Sequence, residues 1–116
     1  MQGSRAAIEV DGWLASGQSL AVSAIAWSEF LNGPVTPPEI SRAEAVIEFR
    51  IIPFGRSEAA RAAELFNSTG RRRGSRFDCL IAATAIQAQA EVATANLEDF
   101  KPFVPHGLKL AQPPVP

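Results

Sequence analysis

Residues 75–100 read SRFDCLIAATAIQAQAEVATANLEDF. Phe77, Leu80, Ile81, Thr84, Ala85 and Ala88 recur at helical spacing, so the segment predicts a helix through Gln89. Ser75 and Asp78, three residues apart, fit a capping box that opens it. The short apolar run Val92 to Ala95 follows as a buried-type strand, and Asn96 to Phe100 reads as a tight turn or one helical turn. A helix feeding a short strand marks an α/β fold.

The same alternation runs outward in both directions. Toward the N-terminus, Ser57 to Asn67 predicts a helix with Ala59, Ala62, Ala63 and Phe66 inward, preceded by a brief strand at Arg50 to Pro53. Thr36-Pro37-Pro38-Glu39 combines a cap, prolines in the first turn and a returning Glu, and starts a helix ending near Phe49. Ser19 to Val22 reads as a strand, and Ser23 caps a helix from Ala24 to Asn32 that Gly33-Pro34 stops. Arg5 to Ser16 reads as a helix ending at Gly17, with Ile8, Trp13 and Leu14 apolar. Toward the C-terminus, Leu108 to Leu110 predicts a last strand, and Gln112 to Pro116 an extended, flexible Pro-rich tail. No repeat or linker divides the chain, so residues 1–110 form one domain with a small, mainly parallel sheet and 111–116 the tail.

Composition narrows the chemistry. The 116 residues are 47% hydrophobic and 20% charged, which suits one small globular domain. Eleven Lys and Arg against twelve Asp and Glu leave a net charge of −1, which argues against a polybasic binder while allowing a local basic patch. Cys79 is the single cysteine and His106 the single histidine, so an internal disulfide, a cysteine zinc site and a two-histidine metal site are excluded. No apolar run approaches the ~18 residues of a membrane span. Residues 1–20 lack the order of a signal peptide, and the expected compartment is the cytoplasm.

Three carboxylates fall where an α/β sheet places its ligand crevice. Glu29 lies angularly between Ile25 and Ala26 on its helix, Asp78 sits in the first turn of its helix, and Asp99 follows the strand Val92 to Ala95. Each has an ordinary structural reading: a Glu reaching an Arg or the solvent rim, an Asp complementing the helix dipole, a turn Asp. Together, converging carboxylates repel one another and call for a hard divalent cation. Such an ion activates water against a phosphodiester without a side-chain nucleophile. Arg71, Arg72, Arg73 and Arg76 precede Asp78; they read either as a solvated loop or as contacts to RNA phosphates. Thr94 and Asn96 either orient a water or ligand or serve as turn residues. Trp13 and Trp27 read as core or interface anchors. A DNA-binding regulator is disfavoured, since no helix pair carries a basic recognition helix.

The blocks LAVSAIAWSEFLNGP (20–34), GSRFDCLIAATAIQAQAEVATANLEDFKPF (74–103) and GLKL (107–110) resemble PIN-domain proteins of the VapC-like toxin group. The resemblance spans residues 8–110 and implies a three-layer α/β/α sandwich. It further implies an Mg²⁺- or Mn²⁺-dependent endoribonuclease of a toxin–antitoxin system, with RNA as substrate, a small antitoxin as partner and a homodimer. Its acidic, catalytic and metal-binding positions map onto Glu29, Asp78 and Asp99, with Thr94 and Asn96 among the polar residues lining the site. The family also begins with a strand running into an Asp, the first metal ligand. Here the chain starts in what reads as the helix before GQSLAVS, so that strand and acid are expected to be missing. The other reading makes AAIEVDG (6–12) the first strand and Asp11 the first acid. A chain lacking that ligand is expected to be either a nuclease or an inactive antitoxin-binding or dimerisation module.

Overall fold

The computed structural model describes residues 13–16, 19–48, 50–94 and 96–111. Within these residues five strands form one sheet in the order β3-β2-β1-β4-β5: β1 Trp13–Ser16, β2 Ser19–Ser23, β3 Ile51–Ile52, β4 Glu91–Ala93 and β5 Lys109–Leu110. Among the described residues five α-helices accompany them: α1 Ala24–Asn32, α2 Pro37–Ile47, α3 Arg56–Ser68, α4 Arg76–Ala88 and the short α5 Leu97–Phe100. Two 3-10 turns, Arg73–Ser75 and Lys101–His106, lead into α4 and follow α5.

The sheet is parallel on its flanks and antiparallel in its middle. β2 pairs with β3, and β4 with β5, in parallel, whereas β1 pairs antiparallel with both β2 and β4. The helix expected from Arg5 to Ser16 is thereby corrected at its end: Trp13–Ser16 is the central strand. The register runs from Trp13 opposite Val22 to Ser16 opposite Ser19, and a two-residue connection of this kind forces the antiparallel sense. The beginning of that expected helix, the alternative strand with Asp11, and the tail from Gln112 all lie outside the described residues.

Successive strand residues face opposite ways, and both faces of this sheet are buried. Leu14 and Val92, register partners, are buried on one face, and Val22 is buried on the other. Helices therefore cover both sides, giving the expected α/β/α layering. Phe100 and Phe103 close the core in an edge-to-face pair, their centroids 6.2 Å apart. Gly107, at φ 110°, turns the chain from the second 3-10 segment into β5, a left-handed backbone that suits glycine.

Local chemistry sets the helix starts. The Ser23 hydroxyl accepts from the Ala26 N–H at 3.0 Å. Thr36 and Glu39 complete their reciprocal box, with the Glu39 carboxylate accepting from the Thr36 N–H at 2.7 Å. At α3, Glu58 reaches back to the Gly55 N–H at 2.9 Å, which holds its carboxyl below the ordinary value. The helix expected to reach near Phe49 ends at Ile47, because Glu48 takes a left-handed cap at φ 52°. On α3 the buried residues are Ala62 and Leu65; Phe66 is half-buried, and Ala59 and Ala63 are exposed. Those two line an apolar groove of about 460 Å³ with Phe54, Phe66 and Leu80.

Candidate functional site

Topology explains why acidic residues from separate stretches approach one another. β2 and β4 each run antiparallel to β1, so they point the same way. α1 leaves the end of β2, and the segment carrying Asp99 leaves the same end of β4. α4 descends toward the start of β4, which puts its first turn, with Asp78, at that end too. This is the end at which open α/β sheets bind ligands.

Asp78 and Asp99 line one pocket there, of about 230 Å³, together with Arg72, Gly74 and Ser75. Asp78 is half-buried and Asp99 exposed. Two of the three expected acids are thus brought together. Glu29 is exposed on α1 and does not line the pocket. Ala26 and Phe30 are the residues α1 buries; Glu29 sits at the edge of that stripe, where a long side chain reaches water. Among the described residues, no group of three or more His, Cys, Asp or Glu could hold a metal ion.

The supports of this pocket differ from expectation in one respect. Ser75 is buried, but it does not cap α4. Its hydroxyl instead donates to the Arg72 carbonyl at 2.8 Å and lies 3.9 Å from the Cys79 sulfur. The cause is the 3-10 turn at Arg73–Ser75, which folds the Ser75 side chain back onto the preceding loop. The bond fixes the backbone of Arg72, so the basic loop and the acidic first turn of α4 are held as one unit. Burial pushes the Cys79 thiol up, the Ser75 contact opposes this, and the charge of Asp78 adds to the rise. Cys79 is a buried packing residue of α4.

Asp99 is positioned by a compact turn. The Thr94 hydroxyl accepts from the Asn96 N–H at 2.9 Å, and the Asn96 carbonyl accepts from the Asp99 N–H at 3.1 Å. Thr94 and Asn96 do not line the pocket; these contacts shape the segment that carries Asp99.

Arg71, Arg72, Arg73 and Arg76 are all exposed. Arg71 takes a left-handed backbone at φ 54°, directly after Gly70 at φ 88°. Arg76 spreads over the Phe66 ring, its guanidinium carbon 5.4 Å from the centroid, a cation–π distance. Trp27 packs on Phe30 at 5.2 Å, which fits a core anchor. Two features escaped the sequence reading. Arg72 lines the acidic pocket itself, and Phe77, placed on the buried stripe of α4 by its spacing, is exposed. The first follows from the 3-10 turn that Arg72 leads into, which no periodicity announces.

No helix among the described residues is long and apolar enough to cross a membrane. The PIN domain family profile matches residues 1–101, and no curated protein matches the chain. The chain belongs to the PIN-domain family, a membership that suggests nuclease-type chemistry and a divalent ion.

Proposed function

Taking membership in the PIN-domain family as premise, we propose that this chain is an endoribonuclease that hydrolyses RNA phosphodiesters at the pocket shared by Asp78 and Asp99. The observation that carries the reading is that pocket: two carboxylates and an arginine converge at the carboxyl end of the sheet. The same reading makes it the toxin of a toxin–antitoxin pair, with a small antitoxin partner, a homodimeric state and a cytoplasmic setting. The toxin role, the antitoxin and the homodimer rest on the resemblance to the VapC-like group.

Asp78 and Asp99 fit a hard ion of the Mg²⁺ type. Such ions are commonly held by one or two carboxylates, with water and substrate phosphate completing the shell. Glu29 is the outlying third acid, on the helix leaving the same end of the sheet. The ion, when bound, supplies an activated water and screens charge on the phosphate. Arg72 points the phosphate: its guanidinium matches two phosphate oxygens at once, and it lines the pocket beside the acids. Arg71, Arg73 and Arg76 raise the local concentration of a polyanion that the pocket's acids would otherwise repel.

The test is cleavage of labelled RNA by the purified chain in Mg²⁺ or Mn²⁺, beside Asp78→Asn. Metal-dependent cleavage lost in the variant supports the reading; cleavage that survives both the substitution and EDTA removes it. A second reading, an inactive binding or dimerisation module, is favoured by the exposure of Glu29 outside the pocket. It is met by absence of cleavage with either metal while the chain still self-associates or captures its antitoxin.

A further inference from the structure

The apolar groove between α3 and α4, about 460 Å³ in volume, takes no part in the acidic chemistry. Ala62 and Cys79, both buried, line its depth, and the half-buried Phe66 and Leu80 line it from the two helices. Phe54, from the connection between β3 and α3, adds a third wall. Among the described residues, Arg76 is the one charged group that lines it. The guanidinium carbon of Arg76 stands 5.4 Å from the centroid of the Phe66 ring. Among the described residues no carboxylate is ion-paired with Arg76. Arg76 also opens the 13-residue α4, so the positive end of that helix lies behind its charge.

Carbon walls with one unpaired cation complement an aliphatic chain that ends in an anion. A nucleic-acid strand needs cations spaced along its path, and this groove offers one. A docked helix fits no better: one turn of a helix about 10 Å across already fills roughly 420 Å³, whereas recognition in a groove uses anchors over two turns. The α3 wall from Ala59 to Phe66 is about 10 Å long at 1.5 Å per residue, the reach of a medium-length alkyl chain. We propose that this groove binds a medium-chain aliphatic carboxylate, with its chain along Ala62, Phe66 and Leu80 and its head group on Arg76. The site is separate from the Asp78–Asp99 pocket and does not rest on the nuclease reading.

The experiment is an NMR titration of the full chain with octanoate, and with octanol as the neutral ligand of equal length. Octanoate is expected to give saturable, one-to-one shifts at the amides of Ala63, Phe66 and Leu80. It should bind about five-fold more tightly than octanol, the upper end for an exposed ion pair. Arg76→Gln should remove that advantage and leave octanol binding unchanged. Ala63 is exposed on the groove wall, so Ala63→Phe should fill the groove and abolish binding of both ligands without lowering the melting temperature. If that variant melts early, Ala59→Phe, at the other exposed alanine, makes the same block. Absence of saturable shifts overturns the proposal, as do equal affinities for the two ligands or blocked variants that bind octanoate like the parent. So does a dimer that Ala63→Phe converts to monomer while octanoate never binds, which would assign the groove to a second copy. Neither RNA nor metal enters the measurement. A chain that cuts RNA and ignores octanoate therefore loses this proposal alone, and one that binds octanoate and never cuts loses only the nuclease reading.

Discussion

A carboxylate's contribution depends on which cavity its oxygens enter, and the three acids divide on that point. Asp78 and Asp99 line one pocket with Arg72, while Glu29 stands exposed on α1 outside it. If two acids hold the ion, loss of either should be felt strongly and loss of the third weakly. Mn²⁺ titration calorimetry is expected to show at least a ~10-fold loss of affinity for Asp78→Asn and for Asp99→Asn, given that changes merely next to a metal ligand already cost that much. Glu29→Gln should leave the affinity nearly unchanged. An equal loss in all three would place Glu29 in the ion's shell, and the pocket would then have to extend to α1. The sequence showed which residue types belonged together but not this division. An angle on a helical wheel places Glu29 at the edge of the Ala26–Phe30 stripe, and at an edge the length of the side chain decides whether it turns inward or to water.

At the scale of elements, the weakest part of the sequence reading is the strongest part of the sheet. β1 is four residues long and is hydrogen-bonded on both sides, to β2 and β4. Its Leu14 is 1% exposed and faces Ala21 and Val92 across the two pairings. Leu14→Ala is therefore expected to cost about 3 kcal/mol, within the range for a buried leucine, read as a fall in the urea midpoint. A cost below ~1 kcal/mol would mean that β1 is not the centre of the folded sheet. The helices were legible because their signals are local: Ser23, Thr36 and Glu39 each bond a backbone group three residues away. β1 was not, because four residues carry too short an alternation to announce a strand, and because its partners lie in β2 and, 76 to 80 residues on, in β4. The Ser75 cap failed for a related reason. Its spacing to Asp78 was correct, but the 3-10 turn before it gave the hydroxyl a nearer acceptor, the Arg72 carbonyl.

Over the whole molecule the charges nearly cancel, at −1, yet they are unevenly placed. Arg71, Arg72, Arg73 and Arg76 fall within six residues, and Arg72 among them lines a pocket with two acids. A protein of this net charge has no general attraction for RNA, so any affinity must come through the cluster and should carry its signature in salt. Each phosphate neutralised on a single strand contributes a slope of about −0.7 to the plot of log affinity against log salt. Arg76 is partly committed to Phe66, which leaves Arg71, Arg72 and Arg73 as the main contacts and predicts a slope near −2. Arg72→Ala should reduce it by about 0.7, and should also slow cleavage, since Arg72 alone of the three lines the acidic pocket. Arg73→Ala should reduce the slope equally and leave the cutting step at saturating RNA unaltered. Titrating labelled single-stranded RNA across salt, with single-turnover cleavage measured beside it, separates the two effects. A slope near zero would show that the arginines are solvated and that RNA enters by another surface. Equal kinetic loss in both variants would show that the loop acts only as a field, with no arginine aimed at the reacting phosphate.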